Sequence, residues 1–99
     1  MNKVFLIGNL TKDPELSTTS GGVKFCRFTI AVSRSYSRDG KRETDFLPVV
    51  VWRAQADNCA RYLKKGSKTS VRGSVQHHTE HDPTVPPPTY IAPRAHALH

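Results

Sequence analysis

Phe46 and Trp52 stand six residues apart in the segment TDFLPVVVW. In an extended strand an even spacing directs both side chains to one face, and at ~3.3 Å per residue it sets them roughly 20 Å apart. Leu47, Val49 and Val51, of opposite parity, make a complete apolar face of their own, so a core does not need both rings. Tyr36 lies upstream between Arg34 and Arg38. Exposed rings interleaved with guanidinium groups form a platform for nucleobases, each stacked base contributing about 1–3 kcal/mol while the cations neutralise phosphates. Tyr36, Phe46 and Trp52 are therefore candidate base-stacking residues. Lys3, Arg34, Arg53 and Arg72 are candidate phosphate contacts, with Lys64 and Lys65 on an outer wrapping surface. The competing assignment puts Phe46 and Trp52 in the core and makes Tyr36 a hairpin cap. A bulge at Pro48 would shift the parity in its favour.

Other chemistries find less support. His77, His78, His81, His96 and His99 all fall in a proline-rich stretch away from either cysteine. Structural zinc sites pair tightly spaced ligands, commonly with Cys partners, so no specific metal or cofactor is expected. Asp13 with Glu15, and Glu43 with Asp45, read as solvated charges. The chain has no Gly-x-Ser-x-Gly elbow and no Gly-rich phosphate loop, and catalysis is not expected. Cys26 and Cys59 are too few for a disulfide scaffold and read as small buried hydrophobes.

The elements that must position these residues follow from periodicity. Val4-Phe5-Leu6-Ile7 is a continuous apolar run, as in a strand covered on both faces. Gly8-Asn9 and Asp13-Pro14 punctuate the chain, making 11–22 loop-rich, with a turn at Ser20-Gly21-Gly22. Phe28, Ile30 and Val32 alternate with Arg27, Thr29, Ala31 and Ser33, a period of two. Asp39-Gly40 signals a hairpin into a return strand over Thr44–Trp52. Ala56, Cys59, Ala60 and Leu63 form one stripe, predicting a helix over 54–65 that stops at Gly66. A last strand over Thr69–Gln76 turns Val71, Gly73 and Val75 inward and Ser70, Arg72 and Ser74 outward. The order is that of an all-β oligonucleotide-binding (OB) fold, a five-stranded Greek-key barrel with one helix between the third and fourth strands.

Ninety-nine residues allow one small domain. Net charge is +7, and residues 1–76 hold 14 Lys and Arg against 6 Asp and Glu. A basic body points to a polyanionic partner, most commonly nucleic acid. No apolar run is long enough to span a bilayer and no signal peptide is evident, so no membrane partner and a cytoplasmic, nucleoid-associated location are expected.

VFLIGNLTKDPEL, FTIAVSRSY, TDFLPVVVWRAQADNCARYLKKGS and VRGSVQ, in that order over 1–76, resemble the bacterial single-stranded DNA-binding protein family. The resemblance implies an OB barrel, a homotetramer and sequence-tolerant binding of single-stranded DNA in replication, recombination and repair. It also implies that Tyr36, Phe46 and Trp52 occupy the family's base-stacking positions. The likeness stops at Gln76. The following HHTEHDPTVPPP replaces a basic, aromatic-bearing hairpin, and Glu80 stands where the family commonly has another stacking aromatic. The chain ends RAHALH, without the acidic tip that recruits replication and repair proteins, so recruitment through such a tip is not expected.

Residues 77–99 are accordingly expected to be a His/Pro-rich, mostly disordered tail on a domain spanning 1–76. Pro88 and Pro93 bracket Thr89–Ala92, the one tail segment with strand character. The fifth barrel strand is expected to be incomplete and the barrel open or partly closed. A change of reading frame near codon 77 would account for so abrupt a switch. The alternative function is a non-catalytic assembly module or a poorly functional truncated copy.

Overall fold

The computed structural model describes residues 1–34, 43–77, 87 and 89–98. They form β1 (Val4–Leu10), β2 (Glu15–Thr18), β3 (Lys24–Ser33), β4 (Thr44–Trp52), α1 (Ala54–Tyr62), β5 (Lys68–His77) and β6 (Thr89–Leu98). The strands pair in the order β1-β5-β6-β4-β3-β2, and β1 returns to pair with β3. Five strands thus close a ring, with β2 a short hairpin outside it. The helix falls between the third and fourth ring strands, as in an OB barrel.

The alternation explains the core. Cys26, Phe28 and Ile30 of β3 meet Val49 and Val51 of β4, Val71 of β5 and Ile91 of β6 inside the ring. Ala56 and Cys59 of α1 are buried in the same cluster, with Ala60 and Leu63 packed against it. The helix ends at Tyr62, three residues before the sequence predicts, because Leu63 turns extended and the Leu63 N–H closes the last turn on the Cys59 carbonyl. Both thiols are free and buried. Burial pushes Cys26 up to about 11 and, with some help from the nearby Cys26, Cys59 to about 12.

Two glycines permit closure. A Cβ on Gly8 would lie 2.5 Å from the Ala31 carbonyl oxygen, where β1 approaches β3. A Cβ on Gly73 would collide with the Ala92 carbonyl and the Pro93 Cα, where β5 meets β6.

Three expectations are corrected. The fifth strand is not incomplete, nor is the barrel open: β6 runs through Pro93 to Leu98, bonded to β5 and meeting β4 in parallel at Val49↔Ile91. Pro93 is tolerated because it lies opposite Gly73, where the register shifts and a ladder donor can be missing. That strand, and His77 of β5, fall within the stretch expected to be a disordered tail; 78–86, and with them Glu80, lie outside the described residues. Within the loop expected over 11–22, Glu15–Thr18 forms β2. Its four residues are all exposed, so no alternation marks it. Finally, Val4-Phe5-Leu6-Ile7 is covered on one face only: Val4 and Leu6 pack inward, whereas Phe5 is 57% and Ile7 50% exposed.

Candidate nucleic-acid interface

β3 and β4 pair one to one from Phe25↔Trp52 to Ser33↔Thr44, without a bulge at Pro48. The reason lies in the bonding direction. The Thr29 carbonyl, opposite Pro48, accepts from the Thr11 N–H at 3.0 Å on the other side of the strand. Pro48 therefore occupies a position from which β3 asks for no donor. The parity of the strand survives, and Phe46 and Trp52 share the outer face.

On that face the cross-strand partners are the closely spaced, non-hydrogen-bonded pairs. Phe46 lies opposite Ala31, whose methyl is too small to cover the ring, and is 64% exposed. Trp52 lies opposite Phe25; the ring centroids are 5.3 Å apart with planes tilted by 45°. Phe25 is buried, so Trp52 leans on a fixed support and stays half-buried. Neither Phe46 nor Trp52 joins the core cluster. Beside Pro48 lies a groove of about 340 Å³ lined by Arg27, Thr29, Pro48, Pro87 and the loop carrying Lys12.

The structure distributes the candidate cations unequally. Arg34 is exposed at the Phe46 end, but each of its three guanidinium nitrogens already donates to a carboxylate. Nε and Nη2 donate to both oxygens of Asp45 at 3.0 and 2.9 Å, and Nη1 to Glu43 at 2.7 Å. The Arg34 bond and charge hold the Asp45 carboxyl below its usual value, and Asp45 in turn raises Arg34. Arg53 follows Trp52 directly and is exposed, with φ 61° at the start of α1 and its N–H bonded to the Lys24 carbonyl at 2.9 Å. Lys3 and Arg72 come together elsewhere, on the outer side of β1 and β5. There Arg72 lies 5.3 Å above the Phe5 ring beside a groove of about 440 Å³. Lys64 and Lys65 are exposed in the turn after α1. Tyr36 and Arg38 lie outside the described residues.

Sequence reasoning missed Arg27, Glu15 and Phe25. Parity alone places Arg27 and Phe25 on the outer face of β3, but which β4 residues they oppose depends on the register. Glu15 enters only through β2, which pairs it with Arg27.

Residues 1–85 match the Single-strand binding protein family. A single-stranded DNA-binding protein of Halalkalibacterium halodurans is 53% identical over 77 residues, 77% of this chain and 46% of that protein. One from Caldanaerobacter subterraneus subsp. tengcongensis is 52% identical over 83 residues, 83% of this chain and 55% of that protein. One from Clostridium tetani is 52% identical over 77 residues, 77% of this chain and 53% of that protein. The chain spans about half the length of the curated relatives it matches.

Proposed function

Because the chain belongs to the single-strand binding protein family, we propose that it binds single-stranded DNA along the outer face of β3 and β4, with little sequence preference. The observation that carries this reading is the exposed Phe46 ring on one face with Trp52, both outside the core. Bases stack on the two rings, and Tyr36 is the third stacking position on the sequence resemblance. Arg53, beside Trp52, meets phosphate directly. Arg34 does so only by exchanging its carboxylates, and Lys3 and Arg72 only on a strand that wraps round the barrel. The role is binding and protection of single strands in replication, recombination and repair, without catalysis. A cytoplasmic, nucleoid-associated location accords with it; no described helix is long and apolar enough to cross a membrane.

A homo-oligomer belongs to the same proposal. Among the described residues β1 pairs with β3 only at Asn9 and Leu10, which leaves the Val4–Ile7 edge open on that side. A second copy pairing along Lys3–Ile7 would cover this edge, and burial of Phe5 and Ile7 would add to the contact. A tetramer follows the family resemblance. Sedimentation and melting over a hundredfold dilution test it: the expected midpoint falls with dilution, and a stable, concentration-independent monomer refutes it.

Binding itself is tested by affinity for single-stranded and duplex oligonucleotides across a salt series. The expected log K falls with log salt by about 0.7 per phosphate neutralised, with single strands preferred. Indifference to salt, or tighter duplex binding, refutes the reading.

A further inference from the structure

Arg27 occupies the outer strip between the two aromatic positions, one pair along from Phe25↔Trp52 and one from Thr29↔Pro48. It is 48% exposed at its side chain, and its Nη2 donates to Glu15 Oε2 at 3.0 Å. Both residues line the groove beside Pro48. The second acid of this groove has other work: Asp13 Oδ1 accepts the Lys65 backbone N–H at 2.8 Å and so ties the β1–β2 loop to the turn after α1. The Glu15 carboxylate, 62% exposed, bonds only Arg27 among the described residues.

We propose that Arg27 is a further phosphate contact of the strand-binding face, and that Glu15 masks it in the free protein. This rests on the reading of the β3–β4 face as the single-strand site. A sugar–phosphate backbone running from Phe46 to Trp52 must pass Arg27. The guanidinium fork donates to phosphate oxygens in the same geometry as to carboxylate oxygens. An exposed pair of this kind is held weakly because water screens it, so the exchange is easy. Glu15 then swings out on its own β2 anchor, and the centre of the strip changes from neutral to positive as the strand arrives. Glu15 thereby opposes binding, through competition for Arg27 and through repulsion of the phosphate.

Titration of oligothymidylate into Glu15→Gln, Arg27→Gln and the double variant tests this, with Trp52→Ala and Phe46→Ala measured alongside. Releasing one cation should tighten Glu15→Gln by up to about eightfold at roughly 50 mM salt and threefold at roughly 200 mM, steepening the salt slope by about 0.7. Arg27→Gln should weaken binding, and with Arg27 removed Glu15→Gln should tighten little. Unchanged or weakened binding in a folded Glu15→Gln protein overturns the proposal. So does equal tightening with and without Arg27, which marks a general charge effect. If Glu15→Gln melts early because β2 loses its bridge, Arg27→Gln decides alone, and an affinity like wild type overturns the proposal. If the aromatic variants weaken binding while these do not, only the Arg27–Glu15 proposal fails. If the aromatic variants bind normally, the face itself is wrong and this proposal falls with it.

Discussion

Gly73→Ala should open the barrel. The new methyl would meet the Ala92 carbonyl and the Pro93 Cα, which are backbone atoms that cannot rotate away. Overpacking of this kind costs about 1–3 kcal/mol where neighbours can shift. Here the shift must lift β6, and Ile91, 6% exposed in the native core, goes with it. Uncovering that side chain adds about 1.5–3 kcal/mol. A total of about 2.5–6 kcal/mol is a large share of the 5–15 kcal/mol that holds a typical domain. For a chain this short, the melting temperature should fall by more than about 10 °C. Gly21→Ala is the control: its Cβ would find only Thr19 Oγ1, at 3.8 Å, and stability should stay within about 1 kcal/mol of wild type. Thermal melts by circular dichroism, at one protein concentration, give both values. A Gly73→Ala protein that melts like wild type would refute the close packing of β6 on β5 and the closure argued from it.

Further outcomes follow from the same packing. Ile30→Ala, at a fully buried core position, should cost about 2–5 kcal/mol by chemical denaturation. Trp52→Ala and Phe46→Ala should each weaken single-strand binding by about 1–3 kcal/mol while the domain still folds cooperatively; an unfolded Trp52→Ala protein would make that ring structural. Asp45 is held below its usual carboxyl value when folded, so its pair with Arg34 stabilises above the unfolded carboxyl value and is lost as pH falls through the folded one. Asp45→Asn should therefore be less stable than wild type at neutral pH, and the two should converge in acid, read by denaturation across pH. With thiols at about 11 and 12, Cys26 and Cys59 should resist alkylation at pH 8 until denaturant is added.

What the sequence makes legible is what period and spacing encode. Thr44–Trp52 is bounded as its alternation predicts, and Leu47, Val49 and Val51 face the core because β4 keeps register through Pro48. Helix α1 buries the stripe that Ala56 and Cys59 announce. The remainder depends on long-range partners. β6 is hidden because Pro88 and Pro93 read as breakers, and only the matching irregularity opposite Gly73 makes Pro93 harmless. β2 has no buried side chain and hence no pattern. At the candidate site, parity brings Phe46 and Trp52 to one face, whereas the Phe25 support and the Glu15–Arg27 pair exist only once β2, β3 and β4 are in register. Arg34 reads as a free cation in sequence; its carboxylate partners 9 and 11 residues downstream come into reach only across the β3–β4 pairing.

Trp52 is the sole tryptophan, so its emission reports on one position of the proposed face. Titrating the protein with oligothymidylate at low salt should quench that emission in proportion to occupancy, to a sharp stoichiometric end point, and added salt should restore it. Binding measured independently under the same conditions with no change in Trp52 emission would contradict base stacking on the β3–β4 face.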